Sequence, residues 1–514
     1  MGKEKECRQS RRKFIKCTLA GAAGTLMVSI DKQANGARHE ADRSNLTQLD
    51  LSEASQLLCS KKISPVRLTQ ECLSRIERFN GKLNAFITVT ADSALAEAQV
   101  AESEIQHGRW RGPLHGIPIA LKDIVDTAGL RTTAASALFK DRIPDKDAEV
   151  VRRLKAAGAV FLGKLNLHEF AYGGSSVISC FGPVRNPWDP AYCAGGSSGG
   201  SAVAVAARLC YAAIGTDTGG SIRQPASYCG IVGLKPTYGR VSASGVIPLS
   251  WSLDHVGLMT RTTKDAALVL QVIAGYDRQD IASVDTPVPD FTEKMSAPTT
   301  SLRLGIPRAY FYDELHPEIQ AAMEAALSVL KSITKSQRDV VPLAADATYS
   351  SWMDQYTPIL QAEAHAYHKD YIERSPELYQ AATLKRIRAG SEITAAKYIQ
   401  SRREMERVRR SIVDIFESVD LLVTPTVRIP PLTIAELQAD PDTARANELA
   451  MLHNARALNF PGLPSISVPC GFTRGGFPLG MQITGRPRDE ATICRLAHAY
   501  EQATDWHKRE PHLE

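Results

Sequence analysis

The stretch CAGGSSGGSAVAVAA, residues 193–207, constrains the fold more than any other part of the sequence. Its glycines allow a tight turn, and the alanines and valines that follow predict a small-residue helix in the interior. A strand and a second glycine turn come next, the latter in GTDTGGSIRQPA at residues 215–226. This succession predicts α/β units, in which functional side chains are expected in loops at the strand ends.

The patterns along the chain predict one domain spanning residues 38–514. It comprises a helical lead-in at 46–110, a core of α/β units at 111–275, amphipathic helices with one strand, DLLVTPT, at about 298–455, and two strands and a helix at 456–514. No linker rich in Gly, Ser or Pro separates these parts, so we predict a single domain with a helical elaboration.

The net charge of +5 is confined to one end of the chain. Residues 1–37 contain eight Lys and Arg against three acidic residues, so the remainder is neutral overall. A neutral main body gives no electrostatic reason to expect nucleic acid as a partner.

The same terminal segment is typical of an export signal. Residues 10–16, SRRKFIK, resemble the twin-arginine consensus, and a short, weakly apolar stretch follows them. Small residues at 34–37 suit cleavage, and the apolar stretch is too short and mild for a stable membrane span. We therefore expect residues 1–37 to direct twin-arginine export, with a periplasmic location for the mature protein.

Two general chemistries of glycine turns fit poorly. A phosphate-binding P-loop needs Lys and then Ser or Thr after its last glycine, whereas Gly200 is followed by Ser201 and Ala202. Residues 196–200 match G-x-S-x-G, which would make Ser198 the nucleophile of an α/β-hydrolase. The segment before this match is a proline-rich loop instead of the β-branched strand that such an elbow requires, so this alternative is disfavoured.

Metal-binding patterns are incomplete. His168 and Glu169 begin an H-E-x-x-H motif, but the fifth position is Tyr172, and His365 and His368 form a lone pair three residues apart. We expect solvated or helix-capping roles for these histidines, and neither a metal nor an organic cofactor.

A further interpretation combines three separate places. Ser221 follows Thr218, Gly219 and Gly220, where successive backbone N–H groups can converge on an oxyanion. Lys122 lies in the apolar segment IPIALKDIVDT. A lysine is unexpected there unless it forms an ion pair or takes part in catalysis. GIPIALKD, GGSSGGSA and GTDTGGSIRQPASYCGIVGLKPTYG resemble the amidase signature family almost position by position, and the similarity extends from about residue 50 to the C-terminus.

The resemblance implies a Ser-cisSer-Lys triad. By position, Ser221 is the nucleophile, Ser197 the proton relay after a cis peptide bond with Gly196, and Lys122 the base. It further implies an α/β/α sandwich around a large mixed, twisted sheet, a small-molecule amide as substrate, and no cofactor. Many members are homodimers, so a homodimer is one arrangement that the resemblance allows. The implied oxyanion hole consists of the backbone N–H groups of Thr218, Gly219, Gly220 and Ser221.

Supporting residues follow from the same motifs. Three residues are expected to stabilise the second turn without taking part in the reaction themselves: Ser198, Asp217 and Arg223. A second glycine-serine stretch is expected in the substrate pocket, with Tyr172, Gly173, Gly174 and Ser175.

The identity of the amide is less constrained. The core is most similar to the amidotransferase branch of the family, whose members release ammonia from glutamine. In that branch an aspartate helps to hold the glutamine ammonium, and its place here falls on Leu452. The arginine that would take the glutamine carboxylate matches Arg386, which we expect at the surface. We therefore predict a general amidase, with a glutamine-hydrolysing amidotransferase-like protein and a catalytically silent binding protein as alternatives.

Overall fold

The computed structural model describes residues 46–340 and 349–513. Contacts within the chain divide it into Met1–Leu46 and Thr47–Glu514, and the elements described below belong to the second unit. The expected export signal, residues 1–37, lies outside the described residues. No helix in the described ranges is long and apolar enough to cross a membrane, and the cysteines within them are free thiols.

One sheet runs through the molecule in the order β1-β3-β2-β4-β6-β5-β10-β11-β9-β7-β8. The strands are β1 (Phe86–Val89), β2 (Pro118–Lys122), β3 (Val160–Leu165), β4 (Ala212–Thr216), β5 (Val232–Lys235), β6 (Val256–Thr260), β7 (Arg303–Ile306), β8 (Ser336–Asp339), β9 (Leu421–Pro425), β10 (Ser465–Phe472) and β11 (Pro478–Thr484).

Strand directions in this sheet are mixed. Strand β2 is parallel to β3 and β4, the strands from β4 through β6, β5, β10 and β11 to β9 alternate in direction, and β9, β7 and β8 are again parallel. The predicted α/β fold with a large mixed sheet is confirmed.

Helices flank the sheet. Those of six or more residues in the described ranges are α1 (Leu51–Cys59), α2 (Pro65–Leu83), α3 (Ala91–Gln106), α4 (Glu149–Ala156), α5 (Gly199–Ala206), α6 (Arg223–Cys229), α7 (Thr263–Ile273), α8 (Pro317–Ile333), α9 (Tyr349–Arg374), α10 (Ala381–Arg388), α11 (Ala395–Ser411), α12 (Ile434–Ala439), α13 (Pro441–Ala457) and α14 (Glu490–Gln502).

Helix α5 shows why the sequence after the first glycine turn consists of small residues. All eight of its residues are buried, and it packs on β2, β3, β4 and β6. A Cβ atom at Gly200 would overlap the carbonyl oxygen of Asn166 and would lie 2.6 Å from that of Ala85. Only glycine fits between these two backbone segments, so the helix starts directly against the sheet.

The structure adds strands to two regions where the sequence patterns indicated helices. Strand β1 lies in the lead-in, and β7 and β8 extend one edge of the sheet in the region of amphipathic helices. The residues of β8, SQRD, are mostly exposed and polar. An edge strand without an apolar face has no hydrophobic alternation, which is why the pattern did not reveal it.

Candidate active site

Lys122 ends strand β2 and is fully buried. Its Nζ donates hydrogen bonds to Ser197 Oγ at 2.7 Å and to Thr216 Oγ1 at 2.8 Å. Within the described ranges, no carboxylate oxygen lies close enough to form an ion pair with it. Burial lowers the pKa of Lys122 to about 7, and the more distant charges of Asp254 and Asp217 offset only part of this effect. A substantial fraction of the amine is therefore neutral at neutral pH.

The loop that carries Ser197 is held in a precise shape by Ser176. The Gly196–Ser197 peptide bond is cis, as the resemblance implied. Ser176 Oγ donates to the Ser197 carbonyl at 3.1 Å and accepts a hydrogen bond from the Gly199 amide at 3.1 Å. Cβ atoms at Gly196 and Gly199 would lie 2.6 and 2.5 Å from the same hydroxyl. Glycine is required at both positions because Ser176 occupies the space.

Ser198 joins the two glycine turns. Its amide donates to the carbonyl of Ser221 at 3.2 Å, and its hydroxyl donates to the carbonyl of Thr216 at 3.0 Å. The residue after Ser197 therefore contacts both Ser221 and the strand whose end supplies Thr216. These bonds hold the loop that carries Ser197 against the turn that carries Ser221, next to the ends of β2 and β4.

Asp217 organises the second turn. Its carboxylate accepts hydrogen bonds from the amides of Gly220 at 2.7 Å and Ile222 at 3.1 Å, and pairs with the buried guanidinium of Arg223 at 3.0 Å. Burial opposes ionisation of this carboxyl, but the charge and hydrogen bonds of Arg223 prevail and hold its pKa below the usual range. The turn is thus built around a permanently charged, fully engaged carboxylate.

The backbone amides of this turn divide into two groups. The Gly220 amide, expected in the oxyanion hole, is occupied by Asp217. In the part of the chain that the structure describes, the amides of Thr218, Gly219 and Ser221 donate to no protein group. The three residues that carry these amides line one cavity, and backbone amides without a partner are the kind of donor that can bind an oxyanion.

A narrow cavity of about 30 Å³ opens at Ser221. Its wall combines the second turn with side chains of α9 and α13, including Tyr356, Leu452 and Arg456. A larger groove of about 930 Å³ lies along α11, where arginines and glutamates line it, away from both serines. The smaller cavity is the one lined by Ser221 together with Thr218 and Gly219, whose amides are free.

Comparison with known proteins is consistent with this geometry. The family described as Amidase matches residues 67–494, which is most of the chain. The chain belongs to the amidase signature family. A glutamyl-tRNA(Gln) amidotransferase subunit from Geotalea daltonii is 42% identical over 484 residues, covering 90% of this chain and 99% of that protein.

An amidase of Pseudomonas putida is 42% identical over 478 residues, covering 91% of this chain and 99% of its own. Among solved structures, 6-aminohexanoate cyclic dimer hydrolase in complex with its substrate has a TM-score of 0.83 at 29% identity, covering 91% of this chain and 99% of that one. Amidase signature relatives with different named substrates therefore share almost the full length of this protein.

The four residues expected in the substrate pocket separate in the structure of this amidase signature protein. Tyr172 and Gly173 line the cavity at Ser221. Gly174 and Ser175 do not line it: the Gly174 carbonyl accepts from Gln224 Nε2 at 3.0 Å, and Ser175 Oγ donates to Glu448 Oε1 at 2.6 Å. These two residues attach the loop to its surroundings.

Arg386 is not at the surface as expected. It is buried, with Nη2 2.8 Å from Glu448 Oε2 and Nη1 donating to the Tyr172 carbonyl at 2.5 Å. A buried carboxylate from α13 is the physical reason, since it compensates the charge of the guanidinium. Neither Arg386 nor Glu448 lines the cavity.

Two histidines, His168 and His368, also differ from the expectation of solvated or capping roles, whereas His365 is half-exposed. His168 is fully buried beside Glu448, and burial lowers its pKa to about 3, so its ring is neutral. His368 is buried against Phe170 and hydrogen-bonded to the Tyr379 hydroxyl at 2.9 Å. The described ranges contain no cluster of three or more His, Cys, Asp or Glu suited to a metal ion.

The sequence patterns did not identify several residues that contact the candidate site. Thr216 could have been found, because β2 and β4 are adjacent and parallel and Lys122 and Thr216 both end their strands. Tyr356 and Arg456 carry no local motif. They reach the second turn only through the packing of α9 and α13.

Proposed function

We propose that this protein is an amidase that hydrolyses a carboxylic amide through a covalent acyl-enzyme. Family membership supports a hydrolase acting on carbon–nitrogen bonds. The observation that carries the proposal is the buried Lys122, which has no ion-pair partner among the described residues and is hydrogen-bonded to Ser197 at 2.7 Å. A neutral amine in that place can accept a proton from a serine hydroxyl.

The first half of the reaction forms the acyl-enzyme. Ser221 Oγ attacks the amide carbon, its proton passes to Ser197 Oγ, and the proton of Ser197 passes to Lys122 Nζ. The free amides of Thr218, Gly219 and Ser221 stabilise the oxyanion of the tetrahedral intermediate. As the carbon–nitrogen bond breaks, the leaving nitrogen takes up the proton from Lys122 through Ser197 and departs as ammonia or an amine.

The second half repeats the proton path with water. Water attacks the ester carbon, its proton moves through Ser197 to Lys122, and the bond to Ser221 Oγ breaks as that oxygen recovers a proton. The carboxylic acid leaves and the three side chains return to their starting states. The relay works in both directions only if Lys122 can gain and lose a proton near neutral pH, as a pKa of about 7 allows.

Ammonia release by the purified protein tests this function. A panel of aliphatic and aromatic primary amides is offered to wild type, Ser221→Ala and Lys122→Ala, with circular dichroism to confirm folding. We expect turnover by wild type only, and covalent labelling of Ser221 by a fluorophosphonate. Turnover by the folded Lys122→Ala protein at the wild-type rate contradicts the role of Lys122, and failure of both turnover and labelling favours a silent binding protein.

Glutamine is the second candidate substrate, because one relative is named as part of a glutamyl-tRNA(Gln) amidotransferase. Glutamine carries an α-ammonium, which a binding site stabilises with a carboxylate. No carboxylate lines the described cavity, and Leu452 occupies the place considered for one. We expect glutamine to be a poor substrate, and faster ammonia release from glutamine than from any simple amide would reverse the assignment.

We also propose twin-arginine export and a periplasmic location. The support is the sequence SRRKFIK at residues 10–16 alone, outside the described residues. Replacement of Arg11 and Arg12 by Lys is expected to keep the protein in the cytoplasm with its precursor uncleaved. Fractionation followed by immunoblotting measures this, and an unchanged periplasmic fraction rejects the proposal.

A further inference from the structure

One face of helix α13 forms a wall of the cavity. The residues on it are Arg445, Leu449, Leu452 and Arg456, spaced by four, three and four positions as one helical face requires. The two leucines lie in the middle and the arginines at the ends. Apart from these arginines, no charged side chain lines the cavity in the described ranges.

Arg456 has most of its hydrogen-bonding capacity free. Its guanidinium lies over the ring of Tyr356, 4.3 Å from the centroid, and Nη2 donates to Thr357 Oγ1 at 3.0 Å. No carboxylate within the described ranges forms an ion pair with it. A guanidinium has five N–H donors, so a half-buried one that is hydrogen-bonded to two hydroxyls, those of Thr357 and Tyr356, can still bind an anion.

The charges behind this wall do not neutralise it. Glu448 is shared by Arg386 at 2.8 Å and Arg445 at 3.6 Å, and the neighbouring His168 ring is neutral. Asp217, within the second turn, is paired with Arg223 at 3.0 Å. Asp254 accepts from Thr218 Oγ1 at 2.6 Å and from two backbone amides, and lines a different cavity. The cavity at Ser221 therefore has an excess of positive charge.

Arg456 packs against the second turn, whereas Arg445 lies farther along the helix. A Cβ atom at Gly219 would be 3.3 Å from Arg456 Cγ, so the side chain borders the free amides directly. Arg445 is eleven residues earlier on the same helix, about 16 Å away at 1.5 Å per residue, and is partly neutralised by Glu448. Arg456 is thus the cation that a short substrate can reach.

We propose that Arg456 selects amides that carry a carboxylate, such as short-chain monoamides of dicarboxylic acids, by pairing with that carboxylate while the amide lies at Ser221. This inference rests on the proposed amidase function and specifies its substrate class. Arginine and carboxylate form bidentate, charge-assisted pairs, which fix orientation as well as adding affinity. Leu449 and Leu452 cover the spacer of the substrate.

The test compares succinamate with butanamide, which has the same number of carbons and no charge. Wild type is expected to prefer succinamate in kcat/KM by at least about tenfold, and Arg456→Gln to reduce that preference by about 30-fold, the scale of one charge-assisted pair. Arg456→Lys keeps the positive charge but loses the paired N–H donors of the guanidinium, so an intermediate preference is expected. Arg403→Gln, at an exposed arginine on α11, is the matched control and should preserve the preference.

Binding to the inactive Ser221→Ala protein provides a readout that does not depend on turnover. Calorimetry is expected to show succinamate binding that weakens with added salt and is lost in Ser221→Ala/Arg456→Gln. Equal or better use of butanamide by wild type overturns the inference, as does an unchanged preference in folded Arg456→Gln and Arg456→Lys. If no amide reacts and Ser221 is not labelled, the amidase function fails, while the binding experiment still decides the role of Arg456.

Discussion

The hydroxyl of Tyr356, on helix α9, donates a hydrogen bond to the carbonyl of Thr218 at 3.0 Å across 138 residues of sequence. This bond orients the peptide that joins Thr218 to Gly219 and whose amide faces the cavity at Ser221. A Cβ atom at Gly219 would lie 2.6 Å from the same hydroxyl, so the helix and the turn are in close contact. Helix α9 therefore supports the free amides although it contributes no catalytic group.

Tyr356→Phe is expected to lower kcat about tenfold with little change in KM, because one hydrogen bond that fixes an oxyanion donor is worth about 1.4 kcal/mol in the transition state. The phenyl ring preserves the packing under the Arg456 guanidinium, whereas the hydrogen bond of Tyr356 with Arg456 is lost together with that to Thr218. Steady-state ammonia release measures both constants.

Tyr349→Phe is the matched control on the same helix. Tyr349 is equally buried, and its hydroxyl has no hydrogen-bond partner in the described part of the chain. We expect wild-type kinetics from this variant. An equal loss of kcat in both variants would show that the Tyr356 hydroxyl acts only through the packing of the helix.

Activity is expected to follow the protonation of Lys122. The base must be neutral, and burial lowers its pKa to about 7, so kcat/KM for an uncharged amide should fall about tenfold per pH unit below that value. Burial also raises the pKa of Asp254 to about 6. Loss of its negative charge below that pH disfavours protonated Lys122 and makes the acidic limb shallower. A profile that is flat from pH 5 to 9 would remove Lys122 from the mechanism.

Residues of this site could be predicted from the sequence where they lie in local motifs, and could not where they depend on contacts between distant positions of the chain. Lys122, Ser197 and Ser221 lie in long, specific motifs, so their association was predictable from resemblance. Arg386 was misplaced because its burial depends on Glu448, which is 62 positions away and belongs to a helix whose packing no local pattern specifies.

In the fold, too, elements with local sequence patterns were predictable and elements that depend on tertiary contacts were not. The buried helix α5 and its strands follow from small and β-branched residues, whose patterns are local. Strand β8 is polar and exposed and forms only because β7 offers an edge. Likewise, only the tertiary structure shows that the face of α13 formed by Arg445, Leu449, Leu452 and Arg456 meets the cavity at Ser221.

The stability of the protein should also report the state of Lys122. Its folded pKa of about 7 is below the ordinary value of 10.5, so between these pH values the unfolded chain binds one proton more than the native state. The free energy of unfolding of wild type relative to Lys122→Met should therefore rise by up to about 1.4 kcal/mol per pH unit across that window. Below pH 7 both states are protonated, and the full penalty is present and constant. Urea titrations of both proteins from pH 6 to 10 measure this, and a constant difference would show that Lys122 is charged in the fold.

Substitutions at Gly199 and Ser176 should be energetically coupled. An alanine Cβ at Gly199 would lie 2.5 Å from Ser176 Oγ and 2.7 Å from Ser176 Cβ, and overpacking of this kind costs about 1–3 kcal/mol. Gly199→Ala is therefore expected to lose stability and activity together, since the displaced loop carries Ser197.

Ser176→Gly removes both atoms that would clash. In the Ser176→Gly/Gly199→Ala protein the overpacking disappears and only the two hydrogen bonds of the Ser176 hydroxyl remain lost. Urea denaturation of the four proteins in this cycle should give a favourable coupling energy above about 1 kcal/mol. Additive losses of stability would mean that Gly199 is required for its backbone conformation. The steric overlap of a Cβ atom with Ser176 would then not be the reason.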